Sequence, residues 1–426
     1  MRQVLHIAKD EERSYPRLAF EVPAGAERID IRVTYPESDL SRADGFTLAA
    51  DACVIDLALE SPDGRLFGAA GSDRNHVFVS PLASSAGFLA EELPVGAWRI
   101  VAGAYHVPEG GVDVAYDIEI TQKSRRLFCG DTHTHTIASD GAFSPETLAD
   151  LAQQSGLDYL FITDHNNVSD PPQRDDITLL PGVEWTHYQG HAGLLGTSAP
   201  LPRRYDTRSE QETANLLQAA RDGGALVVLN HPFCQLVPWL WSLDAPHDAL
   251  EVWNGVMSER NERAIAYWHG ELVKGRRIAA LGGSDYHRPG LFGGIATPCT
   301  MVYASSRSRA DILIALRQGD CIISYQPDGP IADVVCQREG EPVSFGGIAQ
   351  AGAEVTLVFS GLRGGDEIRL LTDLGVETIA CPAGAKEASF TRRFERCKFV
   401  RAEVMRVYAP GLPPMKAMLT NPVYFE

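Results

Sequence analysis

The sequence predicts an α/β fold, a barrel of about seven parallel strands with a β-rich segment at each end. Three observations carry this expectation. Residues 123–328 alternate apolar strand-like runs with amphipathic helix-like runs, the pattern of parallel strands joined by crossover helices. Residues 1–122 and 329–426 instead show short strand-like runs punctuated by Gly, Pro, Asp and Ser. Residues able to ligate a metal recur directly after five of the central strand-like runs, at the end where a parallel barrel carries its active site.

The first segment, 1–122, reads as a β-sandwich-like domain. Runs at 28–33, 54–59 and 98–101 alternate or stay apolar, and turns such as Pro62, Asp63 and Gly64 separate them. The central segment opens with the apolar run 127–129, followed by His133, His135 and Asp140. A helix is expected next. Ser144 is a good N-cap, Pro145 suits the first helical position, and Gly156 suits a left-handed C-cap. The run 157–163 is then a buried-type strand that delivers Asp164 and His165 at its end. Further strands are expected at 178–180, 225–229, 249–253 and 277–281. Helices are expected after the capping pattern at Ser209 and Glu212, from Glu259 to Lys274, and from Arg309 to Gln318. From 329 onward the runs 355–359 and 399–404 restore a β pattern.

The bulk properties bound the function. A chain of 426 residues, 44% apolar and 22% charged, is a multidomain globular protein by composition. Its net charge of −18 argues against a general polyanion-binding surface. The first twenty residues carry charges throughout and no apolar core, so no signal peptide is expected, and no run is long enough to span a membrane. Eight scattered cysteines with no CxxC pair fit free thiols in a reducing, cytoplasmic setting.

The chemistry lies in the residues after the strands. His133 and His135 are two apart, so in extended backbone both face the same way and can reach one ion. Asp140 and His165 follow, then Glu184, His191, His231, Asp285 and His287. Mixed imidazole and carboxylate donors suit Zn, Mn or Fe(II). Nine donors exceed what one ion needs, so two or three divalent transition-metal ions are expected, with Glu184 the natural bridging carboxylate. Such a cluster keeps a net positive charge and generates a hydroxide nucleophile from a bridging water near neutral pH. Glu184, Asp285, Arg288 and Tyr188 are the candidate catalytic residues. Arg288 is placed to clamp an anion, and Tyr188, Asn166 and Asn254 are candidate substrate contacts. His6, His76, His106, His247 and His269 read as structural or exposed.

At these residues the sequence resembles the PHP (polymerase and histidinol phosphatase) domain. The resemblance rests on the HTHT and SDG start at 133–141, the TDHN strand end at 163–166 and Gly182-Val183-Glu184. NHPF at 230–233 and SDYH at 284–287 complete it. It covers roughly 126–325 and implies a distorted (β/α)7 TIM-like barrel with a trinuclear hydrolytic site. It further implies that His133, His135, Glu184 and Asp285 hold the first ion and that Asp140, His165 and His287 hold the second. Glu184, His191 and His231 would hold the third, with His187 competing for the place of His191. The stretches 182–192, 251–255 and 419–424 are similar to the carbaryl-hydrolase branch of the same superfamily.

The expected activity is therefore a metal-dependent hydrolase, with a phosphoesterase favoured and a carboxyl or carbamate ester hydrolase as the alternative. A non-catalytic metal- or carbohydrate-binding protein is the contrasting class. An amidohydrolase barrel also uses His-x-His but lacks the paired Asp285 and His287. A serine hydrolase is poorly supported, because Ser284 lacks the final glycine of a nucleophile elbow. The expected partner is a small anionic ester, with no membrane and with nucleic acid only as a short oligonucleotide substrate. The oligomeric state is left open.

Overall fold

The structure, a computed structural model, describes residues 1–36, 53–169, 171, 174–197, 206–290 and 293–426. The chain divides into two compact units, Met1–Ser124 and Arg125–Glu426.

The first unit is two antiparallel four-stranded sheets on one core. Its strands are β1 (Arg2–Ile7), β2 (Arg17–Val22), β3 (Ala26–Thr34), β4 (Val54–Glu60), β5 (Leu66–Ala70), β6 (His76–Val79), β7 (Gly96–His106) and β8 (Val112–Gln122). The sheet orders are β1-β8-β3-β6 and β2-β7-β4-β5. In β4 alternate residues are buried, as expected when one face of a sheet packs inward. Ile31, Leu59, Phe67, Trp98 and Tyr116 fill the space between the sheets. Trp98 is fully buried, donates its indole N–H to the Pro94 carbonyl at 2.7 Å and packs edge-on against Phe67 at 4.8 Å. Trp98→Ala should destabilise this unit by about 3–5 kcal/mol. Metal content of the full chain should stay unchanged, as calorimetry and elemental analysis on one preparation would establish.

The second unit is a mixed α/β structure dominated by sheet. Its strands begin with β9 (Arg126–Asp131), β10 (Tyr159–Ile162), β11 (Thr178–His187), β12 (Gly190–Leu195) and β13 (Leu226–Asn230). They continue with β14 (Ala249–Asn254), β15 (Ala279–Gly283), β16 (Cys299–Ala304) and β17 (Cys321–Ser324). Helices α1 (Pro145–Gln154), α2 (Glu210–Asp222), α3 (Glu259–Val273) and α4 (Arg309–Gln318) lie between them. The first helix starts as its sequence requires: the Ser144 hydroxyl accepts the Thr147 N–H, Pro145 follows, and Gly156 adopts a φ of 85° just beyond the end.

The strands run in the order β15-β14-β13-β12-β11-β10-β9-β16-β17. Pairs β9–β10, β10–β11, β13–β14 and β14–β15 are parallel. The expectation of uniformly parallel strands fails at β12, which pairs antiparallel to both β11 and β13. The cause is local: only Tyr188 and Gln189 separate β11 from β12, and a two-residue connection can only return the chain antiparallel. Gly190 permits that return, since a Cβ there would lie 2.5 Å from the Trp239 ring. Strands β16 and β17 are a second departure, both antiparallel to their neighbours.

The two ends of the parallel run meet. Thr300 on β16 donates its hydroxyl to the Gly282 carbonyl at 2.7 Å and accepts the Gly282 N–H at 3.0 Å. His135 N–H donates to the Tyr286 carbonyl at 3.0 Å, joining the loops that follow β9 and β15. Beyond β17 the same sheet continues through Met415–Thr420, Phe399–Arg406 and Glu367–Thr372. Among the described residues no helix is long and apolar enough to cross a membrane.

Candidate metal centre

All nine donors expected from the sequence converge: His133, His135, His165, His231, Asp285 and their loop neighbours follow β9, β10, β13 and β15, while Glu184 lies inside β11 and His191 inside β12. Four groups of donor atoms lie close enough to share an ion: His135, Asp140, His165 and His287; His133, His135 and Asp285; His165, Glu184 and His191; and His133, His231 and Glu251. Glu184 is at the centre and only 1% exposed. Its Oε1 lies 3.2 Å from His133 Nε2, 3.2 Å from His191 Nδ1 and 3.1 Å from His231 Nε2. Its Oε2 faces His165 and His135 at 3.0 and 3.6 Å. Asp285 Oδ1 sits 3.3 Å from His133 and 3.2 Å from His135.

Toward solvent, Asp140 Oδ1 lies 3.4 Å from His165 Nε2 and 3.2 Å from His287 Nε2. The opposite nitrogens of these two rings are already engaged. His287 Nδ1 donates to the Asp285 carbonyl at 2.8 Å, and His165 Nδ1 bonds the Thr186 hydroxyl at 2.6 Å. A carbonyl can only accept, so His287 keeps its Nε2 lone pair directed at Asp140.

Three residues among or beside the candidate donors have left-handed backbones: His231 at φ 28°, Asp285 at 53° and Asn166 at 49°. Non-glycine residues adopt that region at a cost, and such strain gathers at functional sites. The loops are tied down accordingly. Asp131, fully buried, accepts the N–H groups of His133, Ser284 and Ala296 at 3.2, 3.0 and 3.0 Å. Asp164, also fully buried, accepts from Thr136, Ser139 and Ser169 and so fixes the turn that carries Asp140.

The electrostatics of the cluster are those of carboxylates among imidazoles. Burial opposes ionisation of Glu184, yet His133, His165 and His191 hold its carboxyl well below the usual range. Asp285 is held down in the same way by His133 and His135, against both its burial and the neighbouring Glu184. Burial pushes His231 down, but Glu184, Asp285 and Glu251 bring it up to about 9. His135 goes the other way, burial lowering it in spite of Asp285.

Several atoms in this cluster have no hydrogen-bond partner although they are buried: His133 Nε2, both ring nitrogens of His135, Glu184 Oε2 and His231 Nδ1. Buried polar groups are normally satisfied. Unpartnered nitrogen lone pairs beside carboxylate oxygens are what a divalent cation takes up, so the donor set fits divalent metal ions.

His191 enters the cluster and its competitor does not. His187 donates Nε2–H to the Thr207 carbonyl at 3.0 Å and accepts the Gln189 N–H on Nδ1 at 3.2 Å. Its ring packs against both Trp185 and Trp241, at 5.5 and 4.8 Å. Tyr188 is 81% exposed and lies against His187 at 4.0 Å. Arg288 is exposed and donates to the Asp140 carbonyl at 2.9 Å. Asn166 and Asn254 spend their amides on the protein. Asn166 pairs both ways with the Thr186 backbone, and Asn254 donates to Glu251 at 3.1 Å and Asp285 at 3.4 Å. His6, His76 and His106 pair with Asp113, Asp30 and Glu12 in the first unit. His247 bonds the Ala245 carbonyl and His269 accepts from Arg401, both outside the cluster.

Sequence reasoning missed Glu251 and Asn230. Asn230 donates to Glu184 Oε1 at 3.0 Å, and Glu251 Oε1 lies 2.9 Å from His133 Nδ1. A signal existed for Glu251: it is the one charged residue of β14, a strand whose six residues are all buried.

No family model matches the chain. Over 93 residues it is 34% identical to the 5'-3' exoribonuclease Rnm of Salmonella typhimurium and 37% identical to that of Escherichia coli. Each match covers 19% of this chain and 32% of the relative, so the chain spans about a third of the length of the curated relatives it matches. Among solved structures it is similar to a two-domain protein from Bacteroides vulgatus described as containing a predicted PHP-like metal-dependent phosphoesterase. That likeness has 18% identity and a TM-score of 0.40, covering 68% of this chain and 95% of the other.

Proposed function

We propose that the chain is a metal-dependent phosphoesterase holding two or three divalent transition-metal ions, Zn, Mn or Fe, at this cluster. One observation carries the reading: nine imidazole and carboxylate donors from separate strands and the loops after them converge, with buried lone pairs left unpartnered among them. In this reading His133, His135, Glu184 and Asp285 hold the first ion and Asp140, His165 and His287 the second. Glu184, His191 and His231 hold the third, and Glu184 is the shared carboxylate. The architecture belongs to the same reading. Residues 123–328 form a distorted (β/α)7 barrel around the site, with β domains at 1–122 and 329–426.

Bound ions of this kind polarise a phosphoryl oxygen and lower the pKa of coordinated water. The chain supplies the rest. The buried carboxylates fix the donor geometry before substrate arrives, and preorganised charge acts most strongly where water is excluded. Arg288, exposed beside the Asp140 carbonyl, can pair two oxygens of an anionic group. The open Tyr188 ring offers a flat surface for the part of the substrate that does not react. The partial likeness to an exoribonuclease supports the same bond class, since RNA is a phosphodiester.

Side-by-side kinetics on p-nitrophenyl phosphate, bis-p-nitrophenyl phosphate and an aryl acetate and carbamate test the substrate assignment. A phosphate ester is expected to have the highest kcat/KM. If both phosphates are inert and the acetate or carbamate is turned over efficiently, the site is a carboxyl or carbamate ester hydrolase, as the similarity at 182–192 suggests.

A further inference from the structure

Glu251 follows no strand end, is 2% exposed, and has both carboxylate oxygens engaged. Oε1 lies 2.9 Å from His133 Nδ1. Oε2 accepts the backbone N–H of His231 at 2.8 Å and an amide N–H of Asn254 at 3.1 Å. A carboxylate has no hydrogen to donate, so the shared hydrogen belongs to His133 Nδ1. The lone pair of that ring therefore rests on Nε2. This is the atom that faces Glu184 and Asp285 at 3.2 and 3.3 Å and has no hydrogen-bond partner. The second oxygen grips the residue with the least favourable backbone of the cluster, His231 at φ 28°. Residue 283 keeps the contact open: a Cβ there would lie 3.0 Å from Glu251 Oε1 and 2.5 Å from His133 Cβ, and the position is glycine.

We infer that Glu251 is a positioning residue that sets the tautomer of His133 and pins the backbone of His231, so that both imidazoles point at Glu184. The inference rests on the metal-centre reading above. Its content is distinct from ligation, because both Glu251 oxygens are already engaged by hydrogens of His133, His231 and Asn254. Partners that orient a ligating histidine in this way tune metal affinity without binding the metal.

Glu251→Gln tests it with almost no change of shape. If the amide oxygen keeps its bonds to His231 and Asn254, the amide N–H₂ meets His133 Nδ1 and donates, which moves the ring hydrogen to Nε2. Turned the other way, the N–H₂ opposes the His231 N–H. Mn²⁺ titrated into the chelator-stripped full chain, with free Mn²⁺ read by electron paramagnetic resonance, should bind about 10- to 100-fold more weakly than in wild type. The number of ions bound at saturation and the melting temperature of the stripped protein should match wild type. Loss of one ion from the stoichiometry would make Glu251 a ligand and overturn the inference. Unchanged affinity would overturn it too. A wild-type chain that binds no Mn²⁺ would instead overturn the metal-centre reading itself. A readout independent of the variant is nitrogen NMR of the Zn-loaded wild-type chain. There His133 should carry its hydrogen on Nδ1, and a bare Nδ1 would refute the assignment.

Discussion

Replacing His133 or Asp285 with alanine is expected to lower kcat on the best phosphate ester by about 10³-fold or more, in a protein that remains folded. His133 lies against both Asp285 and Glu184, and Asp285 against His133 and His135, so either change leaves buried donors facing a gap. The fold should survive, because the apolar clusters of both units do not include these side chains. Circular dichroism and size exclusion check folding, and single-turnover kinetics with added metal check activity. Wild-type turnover by well-folded His133→Ala protein would remove the proposed site from the chemistry.

Stripping the metal is the second large effect. Elemental analysis should find two or three transition-metal ions per chain, and chelation should remove activity and stability together. An ion present at a thousand times its dissociation constant stabilises the folded state by about 4 kcal/mol. For a unit of this size, its loss should lower Tm on the order of 5–10 °C. Restoring Mn or Zn should recover both properties. Less than one ion per chain after reconstitution, with Tm indifferent to chelator, would eliminate the cluster.

His133, His165, His231 and Asp285 stood out as candidate donors because each lies within three residues of the end of an apolar strand. Glu184 and His191 instead lie inside β11 and β12, since the run expected at 178–180 continues to His187. Helix α1 was legible for a similar reason, since Ser144, Pro145 and Gly156 act within their own turn. What escaped depends on distant partners. Spacing could not decide between His187 and His191, because both lie in the β11–β12 hairpin. In the structure His187 is engaged by the Thr207 carbonyl, the Gln189 N–H and the Trp241 ring, partners that its spacing does not reveal. Strands β16 and β17 owe their place to pairing with β9 and with Met415–Thr420, far away in sequence. Glu251 was hidden inside β14, where its neighbours look like ordinary core.

The hairpin that departs from the parallel pattern also makes part of the site local in sequence. Glu184 and His191 are seven residues apart and are held together by adjacent antiparallel strands. The contact that joins the loops bearing His133 and Asp285, from Asp131 to Ser284, spans 153 residues. Contacts close in sequence form faster than remote ones, because less chain must be brought together. The Glu184–His191 contact therefore needs only a short loop to close, whereas the approach of the loops bearing His133 and Asp285 needs a far longer stretch of the second unit's chain to be brought together.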